Sequence, residues 1–276
     1  MPRFAICTPN FGTYSDPQIV VRLAQDAESA GWDGFFIWDH LSFVWGPPSA
    51  DPWILLAAIA ASTSRIRIGT AVAVLPRRRP HIMASAAVTL DHLSGGRLIL
   101  GVGIGGGHDE FSPFGDEPEA ASRAAKLDEA LLVIDRLWSG ERVDHEGAHY
   151  RVSGVTLAPL PVQRPRIPIW VGGNAAPSLR RAARWDGWLA DSAGPDGMRL
   201  APEDVAARVA TIGAARGGLD GFDVAAMGYT GPGSEESEDR IQHFQEAGMT
   251  WWLEVLHDMR GDLTQTEARI AAGPPG

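Results

Sequence analysis

Arg97-Leu98-Ile99-Leu100-Gly101-Val102-Gly103-Ile104-Gly105-Gly106-Gly107 passes from an apolar run into five glycines within eleven residues. The first half suits a strand buried on both faces. The second half does not, because glycine packs nothing and gives up the most chain entropy when ordered. The glycines therefore mark a strand end. Two other runs behave alike: Gly34-Phe35-Phe36-Ile37-Trp38 ends in Asp39-His40, and Ile167-Pro168-Ile169-Trp170-Val171 ends in Gly172-Gly173-Asn174. Helical patterns separate the three, so they read as parallel strands whose carboxyl ends share one face. In an α/β barrel that face carries the chemistry.

Working outward, the chain resolves into eight strand–helix units. Strands are expected at 4–8, 34–38, 66–72, 98–102, 167–171, 187–190, 224–227 and 250–255. Helices are expected at 16–30, 52–62, 80–93, 121–138, from 176, at 202–216, 236–247 and 263–271. Pro17 in a first turn and Gly31 after a last one are ordinary start and stop signals. Alternation of Val143, His145, Tyr150 and Val152 predicts a small hairpin within 141–161, inserted after the fourth helix. Nothing resembles a linker. The expectation is one α/β domain over residues 1–276, a single (β/α)8 TIM barrel.

Composition narrows the function. The 276 residues are 45% hydrophobic with a net charge of −10, which supplies a core and argues against nucleic acid or anionic membranes as partners. The amino terminus lacks a signal peptide's apolar stretch, and the longest apolar run, residues 53–61, cannot span a bilayer, so a cytoplasmic protein is expected. The one cysteine, Cys7, excludes an internal disulfide. Lys126 is the one lysine and falls on a charged helix face, away from any plausible Schiff-base chemistry. Histidines are scattered without His-x-His or His-Glu-x-x-His spacing, so no metal site is expected. No Gly-x-Ser-x-Gly elbow anchors a serine hydrolase.

The strand ends supply the candidates. Gly101-x-Gly103-x-x-Gly106 matches a dinucleotide fingerprint in letters, yet a loop, not a helix, follows it. These glycines are expected either to let a planar ligand lie on backbone or to form a tight turn. Gly172-Gly173-Asn174 opens onto a helix bearing Arg180, Arg181 and Arg184, an arrangement that favours a phosphate; ordinary capping by Asn174 or Ser178 is the alternative. Asp39-His40 could do acid–base work, or the histidine could be structural. Phe11, Tyr14, Phe43 and Trp45 are expected to wall an apolar pocket, with Trp251 and Trp252 as further wall candidates. Arg77-Arg78-Arg79 is expected to be solvated, or to offer one arginine to an anionic tail.

Trp38-Asp39-His40, Leu93-Ser94-Gly95-Gly96-Arg97-Leu98 leading into Gly101-Val102-Gly103, and Pro168-Ile169-Trp170-Val171-Gly172-Gly173 together resemble the luciferase-like monooxygenase superfamily over nearly the whole chain. The resemblance implies a (β/α)8 barrel, a homodimer, and FMN or the deazaflavin coenzyme F-420 at the carboxyl end. By position it implies that Asp39 contacts the cofactor ring and that Ala71 and Val72 form the strand-three bulge beneath it. Gly103, Gly105, Gly106 and Gly107, with Gly172, Gly173 and Asn174, would hold the tail and phosphate. His40 would be the acid–base residue, and Trp45 part of the substrate wall.

Asp-His at the end of strand two resembles the deazaflavin branch; FMN members more often look like Glu-His. The chain departs from that branch's sugar-phosphate dehydrogenase, whose acidic residue follows the strand-four glycines closely. Here the first acids are Asp109 and Glu110, and the lysine expected for a substrate phosphate is missing. The expected function is hydride transfer between coenzyme F-420 (8-hydroxy-5-deazaflavin) and a small apolar or aromatic substrate. The alternatives are an FMN-dependent monooxygenase using oxygen and a non-catalytic flavin-binding protein, the latter suggested by the acid-free glycine loop.

Overall fold

A computed structural model of the chain describes residues 1–106, 108–194 and 197–275. Among them, eight parallel strands close into a barrel: β1 (Arg3–Thr8), β2 (Gly34–Ile37), β3 (Arg67–Thr70, resuming as Ala73–Val74), β4 (Leu98–Gly103), β5 (Ile169–Gly172), β6 (Gly187–Ala190), β7 (Asp223–Gly228) and β8 (Trp251–Val255). Each strand pairs in parallel with its neighbours. β1 meets β8 at Phe4–Trp252, and β3 meets β4 at Ile68–Leu98 and again at Ala73–Val102, which closes the ring. Eight helices form the outer layer: α1 (Pro17–Ser29), α2 (Pro52–Ser62), α3 (Pro80–Ser94), α4 (Ala120–Trp138), α5 (Ala176–Ala182), α6 (Pro202–Arg216), α7 (Glu235–Glu246) and α8 (Leu263–Ala271). The (β/α)8 expectation therefore holds, most elements lying within two residues of their expected bounds.

Local chemistry explains the boundaries. Asp16 accepts from the Gln18 amide ahead of Pro17, and Asp51 accepts from the Trp53 and Ile54 amides ahead of Pro52. Gly95 takes the left-handed conformation that ends α3. The buried Arg97 guanidinium then donates to the carbonyls of Ala60, Thr63 and Ile66 and to Thr63 Oγ1, tying α2 to the start of β3. The Leu-Ser-Gly-Gly-Arg stretch thus serves the wall of the barrel, with no part in the candidate site.

Two apolar layers result. The larger lies between strands and helices. The smaller fills the barrel, where Phe36 stacks on Trp170 at 5.4 Å and both meet Trp251 edge-on. A Cβ at Gly69 would stand 2.6 Å from the Phe36 ring, and one at Gly187 would strike Trp170, so these glycines leave room for the aromatic plug. Trp251 belongs to this plug and Trp252 to the outer layer against Phe244, so neither walls a pocket.

One detail differs from expectation. β3 does not run unbroken to Val72; it stops at Thr70, and a cis peptide joins Ala71 to Val72 before pairing resumes. The hairpin (Val143–Glu146 with Arg151–Val155) packs on the barrel's flank, where Glu129 of α4 accepts from His145 and from the His149 and Tyr150 amides. No helix among the described residues is long and apolar enough to cross a membrane.

Candidate active site

The carboxyl ends of the strands surround a cavity of about 450 Å³. Trp38, Val72, Leu189, Met227, Val255 and Met259 make most of its wall apolar, and His40, Glu110, Tyr229 and His257 bring polar groups to it. Of the expected site residues, Asp39, His40, Ala71, Val72, Gly103, Gly105, Gly106, Gly172 and Gly173 line it. Gly107 lies outside the described residues.

His40 follows β2 and is held from three directions. Asn10, wholly buried after β1, accepts from the His40 amide at 3.0 Å and donates to its carbonyl at 2.9 Å. Phe11, Trp38 and Trp45 set their rings edge-on around the imidazole, 5.7–5.9 Å between centroids. Nδ1 stands 2.7 Å from Glu110 Oε1. Glu110 also accepts from the Leu41 amide at 3.0 Å and from Arg77.

Burial alone would raise the Glu110 carboxyl, but the hydrogen bonds from His40, Leu41 and Arg77 outweigh it and hold the group down at about 2. Glu110 is therefore a fixed anion. An anion can only accept, so Nδ1 carries the shared proton, and it is the neutral form of this ring that presents a lone pair on Nε2. A histidine oriented by a carboxylate is suited to take a proton from a bound molecule.

Glu110 corrects the reading of an acid-free glycine loop. After the strand-four glycines the chain makes two single turns, His108–Glu110 and Ser112–Phe114, that return the carboxylate to His40. Sequence distance concealed this. Arg77 and Arg78 are likewise not solvated. Arg77 lies between Glu110 and Asp39, and Arg78 donates to Asp39 at 3.0 Å. Asp39 also accepts from the Val74 amide at 2.9 Å. Its carboxylate is thereby bonded within the protein at the cavity wall, anchoring the resumed β3. Arg79 covers the Tyr150 ring.

Most of the glycines make room for neighbouring side chains. A Cβ at Gly103 would stand 2.5 Å from Val72 Cγ2, and one at Gly172 2.8 Å from Cγ1, so both strand ends are bare because Val72 fills the space between them. Gly105 clears Val74 and Phe111, and Gly106 faces open space. Asn174 does not line the cavity; its amide donates to the Asp191 carbonyl at 2.8 Å. Nor does it cap a helix: α5 has seven residues and an N-cap at Ala175 without a side-chain bond. Arg181 and Arg184 turn to Asp128 on α4, away from the strand end.

Of the expected pocket aromatics, Tyr14 is buried in the core against Thr266, and Phe43 packs on Phe114 at the surface. Trp45, 46% exposed, rests on His40 and Phe11 at the mouth without lining the cavity. His257 was missed, although it stands just past the end of β8 as His40 does past β2. Tyr229 was missed too, one residue beyond β7. Among the described residues no cluster of potential ligands could hold a metal ion.

The luciferase-like monooxygenase family profile matches residues 2–272. An F420-dependent glucose-6-phosphate dehydrogenase of Microbacterium testaceum is 38% identical over 164 residues, 57% of this chain and 47% of that one. The chain thus spans about half the length of that relative. An uncharacterized protein of Mycobacterium tuberculosis is 30% identical over 247 residues, 82% of this chain and 83% of the other. In fold, the coenzyme F420-dependent tetrahydromethanopterin reductase of Methanopyrus kandleri superposes with a TM-score of 0.78 at 21% identity, covering 98% and 96% of the two chains. The chain belongs to the luciferase-like monooxygenase family.

Proposed function

We propose that this protein is an oxidoreductase that transfers hydride between coenzyme F-420 and a small apolar or aromatic substrate. The observation that carries the reading is the His40–Glu110 pair, held at the rim of an otherwise apolar cavity. Relatives described as F420-dependent dehydrogenases favour the deazaflavin over FMN. The apolar wall favours an apolar substrate. Arg199, a cation on the cavity wall, is already paired with Asp191 at 2.7 Å, which argues against a sugar phosphate. A ligand-orienting machinery coupled to a fixed base also argues against a merely flavin-binding protein.

The residues present fit a flat ring. Val72, wedged between two bare strand ends, offers an apolar ledge, and open space beside Gly106 leaves the backbone accessible. When bound, the deazaflavin supplies the carbon that accepts or returns a hydride. The chain's own part is positioning and proton management. The apolar wall excludes water from the reacting groups, Val72 and Ala71 support the ring, and His40 Nε2 takes the substrate's proton while Glu110 stabilises the imidazolium that forms.

His40→Ala and Glu110→Gln test this in an F-420 reduction assay across a panel of apolar alcohols. Turnover is expected to fall by roughly a hundredfold in His40→Ala with cofactor affinity little changed. Turnover equal to that of the unmodified protein would remove His40 from the mechanism.

A further inference from the structure

Tyr229 and His257 stand side by side on the cavity wall, ring centroids 6.1 Å apart, and the Trp38 ring lies 6.2 Å from the same imidazole. Tyr229 Oη lies 2.6 Å from the Gly194 carbonyl and 3.3 Å from His257 Nε2. A carbonyl oxygen at that distance must receive the phenol's one proton, so Oη can only accept from Nε2–H. The neutral imidazole then has a bare lone pair on Nδ1. That atom is buried and has no hydrogen-bond partner. Among the described residues it is the one buried, unpartnered side-chain atom that belongs to a residue lining this cavity. Buried polar atoms are rarely left unpaired, since each such acceptor costs the protein its lost hydration.

We propose that His257 Nδ1 is a recognition acceptor that reads an N–H or O–H donor on the molecule held in this cavity. The proposal rests on the cavity being the ligand site, as argued above. Protonation, which would turn the acceptor into a donor, is opposed by the surroundings. Burial first, and then the Arg260 cation, hold the imidazole below its ordinary value, with Asp258 acting weakly the other way. Arg260 itself lies over the Tyr229 ring at 4.0 Å and near Glu254 at 3.7 Å. The donor has two possible sources: an N–H on the cofactor ring, or a hydroxyl or amine on the substrate.

The test has two arms. The first is nitrogen NMR of the free, histidine-labelled protein, with His257→Asn to assign the signal. The expected state near neutral pH is the Nε2–H tautomer with Nδ1 unprotonated; an Nδ1–H tautomer or an imidazolium overturns the proposal. The second arm titrates F-420 and FMN into unmodified protein, His257→Leu and His257→Asn. Asn keeps an acceptor at the Nδ1 position and Leu does not. A roughly five- to tenfold loss of cofactor affinity in Leu, restored in Asn, identifies the ring as the donor. Unchanged cofactor affinity with the same rise in substrate KM identifies the substrate. No change in either overturns the proposal. If the unmodified protein binds neither cofactor, the hydride-transfer reading fails, and the tautomer alone decides the acceptor.

Discussion

Glu110 shows how much one side chain decides. Its carboxyl is held at about 2 against an ordinary value of 4.5, so folding favours the ionised form. A depressed value of this kind contributes stability that is complete above the ordinary pKa and lost as pH falls toward the folded one. The contribution is on the order of 3 kcal/mol and should drain away between about pH 5 and pH 2. Chemical denaturation across that range is expected to show a declining midpoint. Glu110→Gln should be less stable at neutral pH and flatter below it; an unchanged profile in the variant would show that Glu110 is not the titrating group. This role was not legible in the sequence, because it depends on a loop returning across the mouth. His257 was more accessible: it follows a strand end, the same signal that identified His40.

At the scale of elements, the strand ends were legible and the reason for their glycines was not. Bare positions at Gly103 and Gly172 look alike whether they admit a ligand or a neighbouring side chain, and here the neighbour is Val72, placed there by the interruption of β3. The letters Ala71-Val72 alone do not announce that interruption; only the family resemblance placed a bulge there. The packing makes a specific expectation. Gly103→Ala should cost about 1–3 kcal/mol, as overpacking does, and Val72→Ala in the same chain should recover most of that loss, because the three atoms nearest the added methyl all belong to Val72. Strictly additive thermal shifts in the double variant would show that another contact is responsible. The Arg77–Arg78 pair is a similar case. As sequence it is a charge run, and only the fold sets two buried carboxylates, Asp39 and Glu110, against it.

Across the whole molecule, the repeating strand–helix period made the barrel readable from end to end, since each unit carries its own start, stop and apolar face. The site is a different kind of object. It draws His40 from β2, Val72 from the break in β3, Glu110 from beyond β4, Tyr229 from β7 and His257 from β8, and only closure of the ring brings them together. The central claim is that this assembled mouth accepts a deazaflavin. The most direct measurement is a pair of fluorescence titrations of the purified protein, one with coenzyme F-420 and one with FMN. Micromolar binding of F-420 with much weaker binding of FMN is the expected result. Binding of FMN alone, or of neither, would contradict it.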